Sequence, residues 1–192
     1  MIGKSYGGCP TSWAIGHTLL FQAAVVMAPV GKLETHYGTS DGGNYAEPLY
    51  VGSTPVLDRK KTRAMLPLQY IEKATTPTFF WQGKDDERCP KCQSEEFFVS
   101  LCRAGDTPAE LVLHQGEDHS FLGEGKPACR ADAAARFINW LDKKVLPQNS
   151  DDPSSSTGNT TMQNEADKID GGRRQPEYAQ APEAHVGTDN QS

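Results

Sequence analysis

The 192-residue sequence contains no long apolar run: no stretch approaches the roughly eighteen apolar residues that a transmembrane helix needs. It also has no excess of basic residues. The 19 lysines and arginines are outnumbered by 25 aspartates and glutamates, which leaves a formal charge of −6. These absences argue against a membrane-spanning protein and against a nucleic-acid binder that relies on overall charge. The length suits one ordinary domain.

Cysteines are few, five in total, and their irregular spacing indicates no complete disulfide framework. Cys89 and Cys92 form a C-x-x-C pair, a pattern found in zinc sites and in redox proteins. A structural zinc needs four ligands, and the sequence has no second C-x-x-C and no H-x₃-H. A thioredoxin-like pair would follow the first strand, whereas this one follows an acidic loop far along the chain. We therefore expect buried or incidental thiols, no metal and no cofactor.

Aromatic residues are nearly missing from residues 147–192, where Tyr178 is the only one. Eight acidic and three basic residues give this segment a net charge of −5, most of the charge of the whole chain. A segment this polar cannot bury enough apolar surface to offset the entropy lost on ordering. We expect a disordered acidic tail over 147–192 and a nearly neutral domain over 1–146.

Residues 1–146 alternate between short apolar runs and stretches with helical spacing, which is typical of an α/β fold. Three apolar runs predict buried strands, over 22–27, 78–82 and 110–114. Four stretches predict helices, over 6–20, 68–73, 94–102 and 134–145. The last helix would bury Ala134, Phe137, Ile138, Leu141 and Val145. The rest of 31–75 is glycine-rich and polar and is expected to be irregular. Continuously apolar strands between helices imply a parallel sheet covered by helices.

Residues 3–8 read G-K-S-Y-G-G and match the motif G-x-S-x-G just before a predicted helix. In that motif the serine lies on a tight strand-to-helix turn, and glycines two residues before and after it let neighbouring backbone approach. The helix that follows points its N–H groups at the site and favours developing negative charge. We expect no strand before Ser5, because the sequence begins at Met1, only four residues earlier. Ser5 is a candidate nucleophile.

A serine hydroxyl needs a base in order to attack a carbonyl, and the base needs an acid to orient it. In an α/β hydrolase the three follow in the order serine, acid, histidine, the last two in loops after strands. An acidic loop containing Asp85, Asp86 and Glu87 follows the strand at 78–82, and His119 lies in the loop after 110–114. Taken alone, His119 would be interpreted as a surface-loop histidine, and the three acidic residues as a solvated turn. Their order and placement together indicate a triad.

With these motifs the sequence resembles the C-terminal catalytic region of the prolyl oligopeptidase family of serine peptidases, particularly its acylaminoacyl-peptidase and dipeptidyl-peptidase-like branch. The resemblance runs from Gly3 to about Leu141, through G-K-S-Y-G-G, A-A-V-V-M-A-P-V, T-P-T-F-F-W-Q-G-K-D-D-E-R-C-P and E-L-V-L-H-Q-G-E-D-H-S-F. It implies the C-terminal part of an α/β-hydrolase fold with Ser5 as nucleophile and His119 as base. The family's acid lies three residues after the glycine that ends the strand, which implies Asp86 as the acid.

The resemblance also implies that the N–H of Tyr6 helps to form an oxyanion hole and that Arg88 contacts the substrate backbone. The implied activity is hydrolysis of short peptides through an acyl-enzyme. Separately from the resemblance, we expect a cytoplasmic location. The expected partner is a peptide substrate, without nucleic acid or membrane, and homo-oligomerisation stays open. The family's earlier strands, second oxyanion donor and β-propeller would lie before Met1, so we expect 1–146 to be a partial, N-terminally truncated domain.

Two alternatives to a peptidase remain open. A carboxylesterase-like α/β hydrolase would use the same residues, because ester and amide hydrolysis both pass through an acyl-enzyme. A non-catalytic fragment would carry the residues without activity. Three strands that lack the neighbours of the elbow strand would leave sheet edges exposed, which favours instability or attachment to a partner.

Overall fold

A computed structural model of the protein describes residues 1–146 and 179–180, and its strands form one parallel sheet. The sheet contains five strands in chain order: β1 (Ile2–Lys4), β2 (Ala24–Met27), β3 (Thr78–Gly83), β4 (Ala109–His114) and β5 (Ala179–Gln180). The three predicted strands are confirmed as β2, β3 and β4. The prediction of no strand before Ser5 is wrong, because β1 pairs with Val25–Met27.

Within the described residues, seven α-helices and the seven-residue 3₁₀-helix Pro67–Lys73 connect the strands. The α-helices are α1 (Gly8–Ile15), α2 (Leu33–Thr39), α3 (Gly43–Val51), α4 (Arg59–Ala64), α5 (Cys92–Ala104), α6 (Phe121–Glu124) and α7 (Pro127–Val145). The prediction of an irregular segment over most of 31–75 is wrong, since α2, α3 and α4 lie there. These helices have six to nine residues, too few to be stable by propensity alone. Local contacts help to hold them, such as the N-cap bond of 2.9 Å from the Lys61 N–H to Asp58 Oδ1.

Helices cover both faces of the sheet, as the apolar strands predict. Successive strand residues point to opposite faces. On one face Val26, Phe80 and Leu111 pack with residues of α1, α5 and the 3₁₀-helix; these are Ile15, Ile71, Phe97, Phe98 and Leu101. On the other face Phe79 and Val112 pack with residues that include Phe121 of α6 and Ala133 and Trp140 of α7.

The long helix α7 turns a slightly different face to the core than the sequence predicts. Phe137 and Leu141 pack against the core as expected, but Ile138 is 57% exposed and Val145 is also exposed. The fully buried residues of the helix are Ala133 and Trp140. The buried stripe thus lies one position earlier in the sequence than predicted, at Ala133 and Trp140 in place of Ala134 and Leu141.

The predicted disordered tail, 147–192, lies outside the described residues except for Ala179–Gln180. These two residues form β5 and pair with Val112 and Leu113 of β4. None of the helices in the described part of the chain is long and apolar enough to cross a membrane.

Candidate active site

Ser5 lies on a tight turn between β1 and α1. The strand ends at Lys4, a 3₁₀ turn occupies Ser5–Gly7, and α1 begins at Gly8. Ser5 has a φ of 57°, in the left-handed region, which costs a non-glycine residue about 1–3 kcal/mol. The strand, the strained turn and the helix are the arrangement that G-x-S-x-G requires. The turn sets the Ser5 side chain at the carboxyl edge of the sheet.

The two glycines of the motif contribute differently to this turn. A Cβ atom on Gly3 would overlap the carbonyl oxygen of Gly7 and the hydroxyl of Thr11. That hydroxyl donates a hydrogen bond of 2.9 Å to the same carbonyl, so both neighbours are fixed. A Cβ atom on Gly7 would meet nothing within 4 Å. The expectation that close approach requires a glycine is therefore confirmed at Gly3 and wrong at Gly7.

Ser5, His119 and Asp86 form a continuous chain of hydrogen bonds. His119 Nε2 lies 2.9 Å from Ser5 Oγ, and His119 Nδ1 lies 2.8 Å from Asp86 Oδ2. The residues follow the ends of β1, β4 and β3, which meet at one edge because the sheet is parallel. A carboxylate at Nδ1 favours the tautomer with hydrogen on Nδ1, which leaves the Nε2 lone pair facing the serine hydroxyl.

The buried carboxylate of Asp86 is held by groups that the sequence analysis did not single out. Asp86 Oδ1 accepts a bond of 2.8 Å from the Cys89 N–H, and Oδ2 accepts one of 3.0 Å from Gln82 Nε2. The Gln82 amide oxygen in turn accepts a bond of 2.5 Å from Ser94 Oγ. The signal in the sequence is a glutamine at the end of the otherwise apolar run T-F-F-W-Q-G. These bonds fix the orientation of the carboxylate toward His119.

The loop that carries the acid and the loop that carries the histidine are joined through their backbones. The N–H groups of Lys84 and Asp85 donate to the carbonyls of His114 and Glu117, at 2.9 and 3.0 Å. A Cβ atom on Gly83 would overlap the Glu117 carbonyl, so this close approach requires glycine. The distance from Asp86 to His119 is therefore set by the main chain as well as by side chains.

The neighbouring acid, Asp85, is exposed, and the carboxylate that bonds to His119 is that of Asp86.

Tyr6 is the second residue of the elbow turn, at the start of a helical segment, where backbone N–H groups have no helical carbonyl partner. Its side chain is 66% exposed, and its ring centroid lies 5.4 Å from that of Tyr50.

Arg88, the expected contact for the substrate backbone, binds Asp41. Its Nε and Nη2 donate to the two carboxylate oxygens of Asp41 at 2.6 and 3.1 Å. This hydrogen bonding and the positive charge of Arg88 lower the pKa of Asp41. The half-exposed pair lines an open cleft together with His119 and Ser120. Arg88 is thus near the candidate triad, but its guanidinium already binds Asp41. The sequence analysis missed this partner because Asp41 falls in the stretch expected to be irregular.

The thiols of the C-x-x-C pair are free. Cys89 is 2% exposed, and burial raises the pKa of its thiol to about 12, helped by the nearby charge of Asp86. Cys92 is partly exposed at the start of α5. Across the described residues no group of His, Cys, Asp and Glu side chains could hold a metal ion.

We expect Cys89 to resist iodoacetamide at pH 8 in the folded protein, because the reacting species is the thiolate and the thiol is both buried and protonated. Mass spectrometry of the peptides after a timed reaction would measure this. Cys92 is the internal comparison, and protein unfolded in urea should be alkylated at all five cysteines. Alkylation of Cys89 as fast as Cys92 in the folded state would contradict the prediction.

The parallel sheet, its two helical layers and the elbow turn define an α/β-hydrolase fold. The profile of the prolyl oligopeptidase family matches residues 1–148, and the chain belongs to this family. The resemblance drawn from the sequence motifs is thereby confirmed.

Individual relatives agree with this assignment. The chain is 30% identical over 143 residues to the uncharacterized peptidase YuxL of Bacillus subtilis, covering 74% of this chain and 22% of that protein. It is 28% identical over 148 residues to dipeptidyl-peptidase 5 of Porphyromonas gingivalis, covering 74% and 21%. The uncomplexed acylaminoacyl peptidase of Pyrococcus horikoshii superposes with a TM-score of 0.73 at 25% identity, covering 80% of this chain and 25% of that one. The chain thus spans a quarter or less of the length of these relatives.

Proposed function

We propose that the chain carries the catalytic residues of a serine peptidase that cleaves peptide bonds through an acyl-enzyme. The observation that supports this most strongly is the hydrogen-bonded series Ser5–His119–Asp86, at 2.9 and 2.8 Å, in a member of the prolyl oligopeptidase family. A relative with 26% identity, an acylaminoacyl peptidase, has been solved in complex with the peptide reagent Z-Gly-Gly-Phe-chloromethyl ketone, which supports a peptide as substrate.

In the proposed reaction Ser5 Oγ attacks the carbonyl carbon of the peptide bond while its proton passes to His119 Nε2. Asp86 stabilises the resulting imidazolium through Nδ1–H. The Tyr6 N–H, at the start of the helical segment, stabilises the negative charge on the carbonyl oxygen. The C–N bond then breaks, and His119 gives its proton to the departing amine, which leaves an acyl ester on Ser5.

Hydrolysis of the ester repeats these steps with water as the nucleophile. His119 takes a proton from water as the water oxygen attacks the acyl carbon, and it returns that proton to Ser5 Oγ as the ester bond breaks. The product is a carboxylic acid, and the enzyme is restored. Arg88 would contact the substrate backbone across the cleft that it shares with His119, with Asp41 holding its guanidinium in place.

A fluorophosphonate probe tests this proposal, because it phosphonylates a serine only when the hydroxyl is activated. We expect the full chain to be labelled at Ser5, as located by mass spectrometry, and Ser5→Ala to be unlabelled. Ser120→Ala is the matched control, since Ser120 lies exposed beside His119, and it should be labelled like the wild type. A folded wild-type chain that takes up no label would overturn the proposal.

The same labelling experiment, together with a matched ester and peptide anilide, distinguishes the two alternatives to a peptidase. The non-catalytic alternative is supported by β1, which has a strand neighbour on one side only within the described residues and whose Ile2 is 50% exposed. It predicts a folded chain without labelling. Carboxylesterase activity predicts labelling and hydrolysis of an ester without hydrolysis of the matched peptide anilide, because a peptidase cleaves both. The cytoplasmic location and homo-oligomerisation stay predictions.

A further inference from the structure

His114 is the last residue of β4, and it is fully buried on the face of the sheet that α6 and α7 cover. Its ring centroid lies 5.1 Å from that of Phe121 in α6 and 6.1 Å from that of Trp81 in β3. Neither ring nitrogen has a hydrogen-bond partner within the described part of the chain. The position therefore suits a neutral aromatic ring and strongly disfavours a charged one.

Three charged side chains act on His114 from the elements packed around it. Asp132 and Arg136 belong to α7 and are paired with each other at 2.8 Å, and Glu117 belongs to the loop after β4. The ring contacts from α6 and β3 are aromatic and uncharged. The two carboxylates favour a charged imidazole and Arg136 opposes it, but the largest effect is burial, so the pKa of His114 lies below its ordinary value of 6.5. At pH 7 the buried ring is neutral.

The loop that carries His119 starts directly after His114. The main-chain carbonyl of His114 accepts the Lys84 N–H at 2.9 Å, which joins this strand end to the loop of Asp86. The helix α6 follows the His119 loop and has only four residues, so it depends on packing for its stability. Part of that packing is the contact between the His114 ring and Phe121. The ring of His114 therefore helps to hold the segment that positions the candidate base.

We propose that His114 makes the active site sensitive to acid: when its ring takes up a proton, residues 115–124 detach from the sheet and His119 is withdrawn from Ser5 and Asp86. A charged imidazole is hydrated only if this aromatic pocket opens. Below pH 6.5 the open form binds one proton more than the closed form, until the closed form is protonated too. In that range each pH unit of acidification favours opening by up to tenfold. The inference rests on the proposed function and adds a regulation of the same site.

Hydrogen–deuterium exchange measures this opening directly and needs no catalysis, which separates it from the effect of acid on the reaction itself. The full chain would be labelled at pH 7.5 and at pH 5.0, with times scaled for the intrinsic pH dependence of amide exchange. We expect the protection of amides in 112–125 to fall by about 10- to 30-fold at pH 5.0, as the uptake of one proton predicts. The helix α5, on the opposite face of the sheet, is the internal control and should keep its protection.

Variants assign the opening to His114. His114→Phe keeps an aromatic ring that cannot become charged, so amides in 112–125 should keep their protection at pH 5.0. If this variant does not fold, His114→Gln tests the same point with an uncharged polar side chain. His119→Ala removes the other histidine of this region and should lose protection at pH 5.0 as the wild type does. In acid, fluorophosphonate labelling of Ser5 should fall more steeply than for one proton in the wild type, and as for one proton in His114→Phe.

The outcomes distinguish this inference from the proposed function. Wild-type protection that is the same at pH 7.5 and pH 5.0 would overturn the inference, and so would an equal loss in the wild type and in His114→Phe. A loss that disappears in His119→Ala would assign the effect to the candidate base and would also overturn it. All three results leave the proposed function standing. That function fails instead if the fluorophosphonate does not label Ser5 in folded protein at pH 7.5.

Discussion

Replacing His119 by alanine is expected to lower kcat for a peptide anilide by about 10⁶-fold, the loss typical of removing the base from a serine triad. Ser5 Oγ would lose the acceptor that lies 2.9 Å away, so its proton would have no route during attack on the carbonyl. The effect falls on kcat because proton transfer occurs in the transition state. KM should change little, since the His119 ring contributes mainly to chemistry.

The matched control for this variant is His17→Ala. His17 is an exposed histidine just after α1, where its ring stacks on Trp13 with centroids 4.2 Å apart. It should keep wild-type kcat. Where turnover is too slow to measure, the second-order rate of fluorophosphonate labelling serves as the readout, because it depends on the same base. A His119→Ala protein that retained a tenth or more of the wild-type rate would contradict the assignment.

Replacing Asp86 by asparagine is expected to lower kcat by about 10⁴-fold. The amide can place its NH₂ group toward His119 Nδ1, which favours the tautomer with hydrogen on Nε2 and so blocks proton acceptance from Ser5. The asparagine oxygen can still accept from the Cys89 N–H, so the loop should keep its shape. The variant therefore separates the electronic role of the carboxylate from its structural role.

Asp85→Asn is a stringent control because Asp85 is the adjacent residue but is exposed. It should stay within a few-fold of the wild-type rate, with kcat measured on the same peptide anilide and the melting temperature recorded for both variants. Equal losses in the two variants would show that the loop, and not the carboxylate at Asp86, is responsible. A large drop in melting temperature for Asp86→Asn alone would indicate a structural role.

The candidate catalytic residues were recognisable from the sequence because each lies in a short local motif, and the motifs of Asp86 and His119 also follow apolar strands. Ser5 follows G-K, Asp86 lies three residues after Gly83, and His119 follows β4 at a short distance. Their supports were not recognisable. Gln82 orients Asp86 only because α5 brings Ser94 to its amide oxygen, at 2.5 Å. Asp41 meets Arg88 across 47 residues of chain.

The strands β2, β3 and β4 were predictable because burial on both faces leaves a continuous apolar run in the sequence. β1 was not, because three residues carry too little pattern and its pairing with β2 is a contact between distant parts of the chain. The helices α2 and α3 were missed for a related reason. They are short, contain glycine or proline, and are linked by the buried His36–Glu47 pair, so their stability comes from tertiary contacts.

The sequence by itself determined the parallel α/β architecture, because buried strands appear as local apolar runs. It also determined the identity of the candidate nucleophile, acid and base, because each lies in a short motif. The tertiary structure alone decided which groups orient those residues and which side chain pairs with the buried Glu47. Hydrogen bonds between different strands, helices and loops leave no periodic trace in the sequence, so Gln82, Asp41 and Glu47 acquire their partners only when these elements pack.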